Sequence, residues 1–206
     1  MPQSRRYKKK KSAGKAILAW IIVLAILAAA VFVFVSVFYE DTKKKLDEMN
    51  YPRTYSTYVE KAAKDYDLDP ALIYAVIHTE SGFDPKAESG VGAKGVMQMM
   101  PSSFEWLQEQ RGCAGQYTED DLFDPEICID YGSYHLKYFY DYYGTERSAI
   151  AAYNAGFVVS DWLNDTNYSS DGKNLDSIPY PETKNYVDKV ESAKEMYIKL
   201  YYSQSN

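Results

Sequence analysis

Histidine and cysteine are nearly absent from this chain, with two of each among 206 residues. His78 and His135 lack the H-E-x-x-H spacing of a helical metal site. Cys113 and Cys128 lack the C-x-x-C or Cys/His spacing of a zinc site, so no metal centre is expected. No glycine-rich loop follows a strand pattern, which argues against a nucleotide, and no cofactor is expected. Alternating strand patterns are themselves scarce, and nothing repeats at solenoid periods. Basic residues are thin where a nucleic acid would need them. Seven of the 23 lie in the first fifteen positions (Arg5, Arg6, Lys8, Lys9, Lys10, Lys11, Lys15). The rest of the chain holds 16 basic against 29 acidic residues, a balance of -13. Such a body repels polyanions, and nucleic acid is not an expected partner.

What is present begins with an apolar run. Ala16 to Phe38 reads AILAWIIVLAILAAAVFVFVSVF, 23 residues without a charge. As a helix rising about 1.5 Å per residue it spans roughly 35 Å, enough for a hydrocarbon core of about 30 Å. The run exceeds the apolar stretch of a cleaved signal peptide, and Val35-Ser36-Val37 is a poor small-residue cleavage site. An uncleaved single-pass anchor is therefore expected. The basic cluster precedes the span, while Glu40 and Asp41 follow it. Positive flanks stay cytoplasmic, which places residues 1–15 inside as a basic arm and everything beyond residue 38 outside. Residues 39–54 read as a charged juxtamembrane stalk stopped by Pro52, and residues 55–206 as the outer domain. In an oxidising compartment Cys113 and Cys128 can pair and staple the segment between them; two free or buried thiols are the alternative.

The outer domain reads as one helix after another. Val59, Ala62, Ala63 and Tyr66 recur at helical spacing. Asp69-Pro70 is a helix start, since Asp caps free N–H groups and Pro fits the first turn. That helix runs through ALIYAVIHTES to Gly82, a left-handed stop. Pro101 opens another, Cys128 to Tyr143 forms a tyrosine-rich one, and Thr145 caps a short one ended by Gly156. Pro181 to Tyr202 is amphipathic, with Val187, Val190, Ala193, Tyr197, Leu200 and Tyr201 inward, and residues 164–178 are loop-like. The expected fold class is mainly α, with at most a small hairpin around Ser89–Gln98.

Glu80 stands at the end of its apolar helix, ahead of Ser81-Gly82-Phe83. The negative end of the helix dipole and burial among Ile77 and Phe83 both disfavour a carboxylate. A carboxylic acid kept protonated near neutrality is a general acid. Four blocks then occur in order: ESGFDP (80–85), SGVGAKGVMQMMP (89–101), AYNAG (152–156) and PYPETKNYV (179–187). Together they resemble the soluble type of lytic transglycosylase, over roughly residues 55 to 202. The resemblance implies a lysozyme-like α+β domain acting on peptidoglycan glycan strands in a bacterial envelope. It implies that Glu80 protonates the oxygen between N-acetylmuramic acid and N-acetylglucosamine, then takes the proton of the muramic C6 hydroxyl, leaving a 1,6-anhydro end. It further implies that Ser89 contacts the N-acetyl region, that Gln98 and Met100 line the cleft, and that the Tyr153 hydroxyl bonds the catalytic Glu. Asn154, Glu182 and Tyr186 complete the implied cleft. Met97 and Met99 read as core. A goose-lysozyme-like hydrolase, and a wall-binding scaffold with a dead site, are the competing readings. The segment 105–130 matches no block of the resemblance.

Overall fold

The computed structural model describes residues 4–203, in two units, Met1–Asn50 and Tyr51–Asn206. Residues 1–3 of the expected basic arm, and residues 204–206, lie outside the described residues. The first unit is one helix, α1 (Ser4–Asn50). From Ile17 to Phe38 its large apolar side chains are exposed, and its most apolar window has a mean hydropathy of 3.2. A helix that is apolar all round suits a membrane or a deep core. Ser36, the one hydroxyl in the run, donates to the Phe32 carbonyl one turn back at 2.9 Å, so its polarity is satisfied within the helix. By length and composition this is a helix that can cross a membrane. The helix continues past the apolar run through the charged residues and ends at Asn50, ahead of Pro52.

The second unit is built from α2 (Ser56–Tyr66), α3 (Pro70–Ser81), α4 (Pro101–Gln110), α5 (Pro125–Tyr143), α6 (Glu146–Ala155), α7 (Val159–Leu163) and α8 (Pro181–Tyr197). Tight 3-10 turns lie at Glu119–Phe123 and Gly156–Val158, and a π turn at Ile198–Tyr202 extends α8. No sheet forms among the described residues. The expected hairpin is reduced to two isolated antiparallel bridges, Glu88 to Lys94 and Lys94 to Met99.

Helix α3 is the axis of this unit. Asp69 accepts the Ala71 N–H at 2.9 Å, Pro70 occupies the first turn, and Gly82 closes the helix at φ 60°. Every residue from Ala71 to Ile77 is buried. Such a helix has no polar face to give to water, and each large side chain it buries contributes about 1.5–3 kcal/mol. Helix α8 packs along it, α6 packs on α8 and α5, and α2 bridges α3 and α5. Val187, Val190, Ala193 and Tyr197 of α8 face the core as their spacing predicts. Leu200 and Tyr201 are only half-buried, because the π turn adds a residue per turn and swings them off that face.

The segment 105–130 is a buttress. The buried Gln108 amide holds the Tyr117 backbone from both sides, donating to its carbonyl (3.1 Å) and accepting from its N–H (2.8 Å). The 3-10 turn that follows presses Leu122 into the core, and its carbonyl lies where a Cβ on Gly95 would sit, 2.0 Å away. Gly95 has φ 75°, so conformation and space both require glycine there.

Of the two readings left open for the cysteines, pairing and two free thiols, the structure has the second. Cys113 lies with its sulfur 3.2 Å from the Tyr131 hydroxyl. Cys128 points inward from α5 and accepts the Met97 N–H at 3.4 Å. The α5 backbone turns one thiol into the core and leaves the other on the loop, and the staple is supplied instead by Gln108. Burial pushes the Cys128 thiol up to about 12, so it remains a neutral packing group.

Candidate active site

Glu80 lies in the last turn of α3, between the buried Ile77 and Phe83. Its carboxylate accepts the Tyr186 hydroxyl at 2.7 Å across the packed α3–α8 face. Burial raises its pKa to about 7, against a smaller lowering by that hydrogen bond. An acid poised at that value is populated in both protonation states near neutrality and can donate and recover a proton in one cycle. The Tyr186 hydroxyl is itself held well above its ordinary range by burial and by the neighbouring Glu80 charge, so it acts as a donor throughout.

The glycine-rich stretch is clamped against this acid by five side chains. Ser81, next to Glu80, donates to the Val96 carbonyl (2.8 Å) and accepts the Phe83 N–H (3.1 Å). Tyr153 donates to the Met97 carbonyl (2.9 Å), while the Cys128 sulfur accepts that residue's N–H. Gln98, in left-handed backbone at φ 47°, spends its amide on the carbonyls of Ala87 and Gly95, both at 3.0 Å. Ser89 accepts the Ala93 N–H at 2.9 Å and closes the turn through Gly90 and Gly92. Met97 and Met99 are core residues, as their type predicts.

This arrangement corrects one sequence expectation. The hydroxyl bonded to Glu80 is that of Tyr186; Tyr153 instead holds the Met97 carbonyl beside it. Helix α8 runs against α3 and delivers Tyr186 from one side. Tyr153 arrives on α6 over the loop and meets that backbone first. Its phenol is raised far above the ordinary range by burial, with a further push from the Glu80 charge.

Met100, Tyr153 and Asn154 line one wall system, a cleft of about 470 Å³ that also takes in Trp106, His135 and Phe157. Asn154 accepts the buried Thr183 hydroxyl at 2.8 Å, which ties the end of α6 to the start of α8 one turn before Tyr186. Glu182 stays exposed on the first turn of α8, where a negative charge suits the helix dipole. Sequence reasoning missed Trp106, His135, Phe157 and the supporting Ser81, Cys128 and Thr183. Phe157 directly follows the AYNAG block, and His135 is one of only two histidines; those were the available signals. Burial lowers the His135 pKa to about 4, so its ring is a neutral wall at ordinary pH.

Comparison with known proteins gives this geometry a family. Residues 57–175 match the family model described as the Transglycosylase SLT domain. The chain is 32% identical over 146 residues to the soluble lytic murein transglycosylase of Escherichia coli, covering 69% of this chain and 23% of that protein. It is 29% identical over 167 residues to the membrane-bound lytic murein transglycosylase C of Actinobacillus succinogenes, covering 70% of this chain and 47% of the relative. Among solved structures, the 70 kDa soluble lytic transglycosylase of Escherichia coli superposes with a TM-score of 0.67 at 28% identity, over 77% of this chain and 26% of that one. An inactive mutant of the lytic transglycosylase Slt from Pseudomonas aeruginosa gives 0.65 at 30% identity, over 74% and 25%. The chain thus spans about a quarter of the length of its soluble relatives and half that of the membrane-bound one. Carrying the SLT domain over more than half its length, with an acid raised to neutrality at the end of its buried helix, the chain belongs to the lytic transglycosylase family.

Proposed function

We propose that this protein is a membrane-anchored lytic transglycosylase that cuts peptidoglycan between N-acetylmuramic acid and N-acetylglucosamine. The observation that carries the reading is Glu80, partly buried, raised to about 7 and held by Tyr186 beside a clamped glycine-rich loop. In its protonated form Glu80 gives a proton to the glycosidic oxygen as the bond to C1 breaks. As a carboxylate it then takes the proton of the muramic C6 hydroxyl, whose oxygen closes on C1. The proton count balances and Glu80 ends as it began, with no water consumed. The positive charge at C1 is met by the substrate's own N-acetyl group, so one carboxylate suffices where paired-carboxylate glycosidases need two. Ser89, Gln98, Met100, Tyr153, Asn154, Glu182 and Tyr186 are proposed as the cleft that seats the strand.

We read residues 1–15 as a cytoplasmic arm, 16–38 as the anchor, 39–54 as the stalk and 55–206 as the catalytic domain outside the membrane. The length and apolarity of α1, and the basic residues ahead of it, support this reading. The test is mass spectrometry of the fragments released from peptidoglycan by the full chain and by Glu80→Gln. Anhydro-muramic ends from the wild type, absent with the variant, are expected. Reducing ends would make the protein a hydrolase, and no release by the wild type would make it a wall-binding scaffold.

A further inference from the structure

Tyrosine is this chain's compositional excess, with 21 copies, and the acid site uses only Tyr153 and Tyr186. Another set lies along the outer part of α5. The Tyr138 ring packs edge-on against Trp106 with centroids 4.9 Å apart, and edge-on against Phe157 at 6.2 Å. One turn further on, Tyr142 lies nearly parallel to Tyr138, 6.4 Å away with 15° between planes, and meets Phe157 edge-on at 5.6 Å. Trp106 and Phe157 are also walls of the cleft that contains Tyr153. Aromatic surface therefore runs unbroken from the cleft to the end of α5. Its outer end is open to solvent, Phe157 being 48% and Tyr142 58% exposed. From His135 in the cleft to Tyr142 the helix advances about 10 Å. The charged neighbours Lys137 and Asp141 pair with each other at 2.7 Å, one turn apart on the same helix.

Phenol and indole faces offer flat apolar area with a polar tip, which complements the C–H face and the hydroxyl rim of a pyranose. An exposed aromatic patch marks an interaction site, and its continuity with a cleft favours the ligand of that cleft as the occupant. We propose that Trp106, Tyr138, Tyr142 and Phe157 form a ledge that carries the glycan strand beyond the cleft lined by Met100, Tyr153 and Asn154, so that long strands are held more tightly than short ones. This inference rests on the glycan-cutting reading above.

The experiment separates the two. In the full chain, solubilised in mild detergent, Tyr142→Ala, Tyr142→Phe and the double variant Tyr138→Ala/Tyr142→Ala are each made. Binding to insoluble long-strand peptidoglycan is measured by co-sedimentation with Glu80→Gln added, so that nothing is cut. Turnover of a short soluble glycan of a few sugars is measured with Glu80 intact. Loss of a stacking ring should weaken long-strand binding roughly three- to tenfold, more in the double variant. Tyr142→Phe, which keeps the ring, should bind as the parent does, and kcat/KM on the short glycan should stay within about twofold. Unchanged long-strand binding by a double variant with the parent's circular dichroism would overturn the ledge and leave the face to a protein partner. An equal loss on short and long substrates would overturn it too. Failure of the parent to yield anhydro ends from either substrate is a separate result that removes the glycan-cutting reading itself.

Discussion

Helices α3 and α5 are announced by the same local signals and end in opposite surroundings. Both open on Asp-Pro, with the Asp side chain accepting an N–H two residues on, and both close on a glycine in the left-handed region. Yet α3 is buried all round from Ala71 to Ile77, while α5 buries Cys128, Ile129, Gly132, Leu136 and Phe139 and exposes Tyr140, Asp141 and Tyr142. Caps decide where a helix starts and stops; burial decides what its side chains can do chemically. At the end of α3 a carboxyl is held near neutrality, because the folded protein disfavours its charge. Along α5 the inner face supports the glycine-rich loop through Cys128 and Gly132, and the outer face meets water.

The sharpest way to break this contrast is Glu80→Gln. Loss of the proposed general acid–base should lower turnover by about 10³–10⁴, read as muropeptide release. The same variant tests the cost of burying the acid. The folded pKa of about 7 lies above the ordinary 4.5, so the native state holds the proton more tightly than the unfolded chain. Native stability is then lost as pH rises from 4.5 to 7, by on the order of 3 kcal/mol once Glu80 is ionised. Glu80→Gln should therefore melt above the wild type at pH 8, with the gap closing towards pH 4.5. An equal gap at both pH values would contradict the raised pKa.

Next in size are two glycines at close contacts with the loop, Gly95 against the buttress and Gly132 on α5. Gly95→Ala places a Cβ 2.0 Å from the Leu122 carbonyl at φ 75°, with rigid backbone on both sides, and should cost more than about 2 kcal/mol in a urea midpoint. Gly132→Ala in α5 meets the flexible Met97 side chain at 2.5 Å and gains helix propensity, so about 1 kcal/mol is expected. Reversal of that order would mean that the loop yields more easily than the core of α5.

The two site tyrosines come third. Tyr186→Phe removes the hydrogen bond that lowers Glu80, so the alkaline limb of kcat/KM should move upward from about 7, with roughly a tenfold loss of rate. Tyr153→Phe should instead cost about 1 kcal/mol of stability through the lost bond to the Met97 carbonyl. A limb shifted by Tyr153→Phe and not by Tyr186→Phe would return the tuning role to Tyr153. Smallest of all is Lys137→Ala on the outer face of α5. Its one-turn ion pair with Asp141 should be worth no more than about 0.5 kcal/mol in a thermal midpoint.

Chain-local information settled a good deal of this molecule. The Asp69-Pro70 cap, the proline starts, the glycine stops and the 3.6-residue periodicity located α2, α3, α4, α6 and α8, and α5 from Cys128 onward, because these signals act within a turn or two of backbone. Scarce alternation left room for no more than a small hairpin, and an uncharged run of 23 residues marked the long apolar helix. Glu80 stood out in the sequence too, at the end of an apolar helix and directly ahead of Ser81-Gly82-Phe83. The short α7 and the turn at Glu119–Phe123 were not, being too short for a period to register. Tertiary packing alone decided which hydroxyl reaches Glu80, since Tyr186 lies 106 residues away and meets it only because α8 lies along α3. It also turned Cys128 inward and away from Cys113, and set Gln98 to hold its own loop. The physical reason is one of range. A cap or a period is satisfied by its neighbours in sequence, whereas the partner of a side chain depends on how the helices pack.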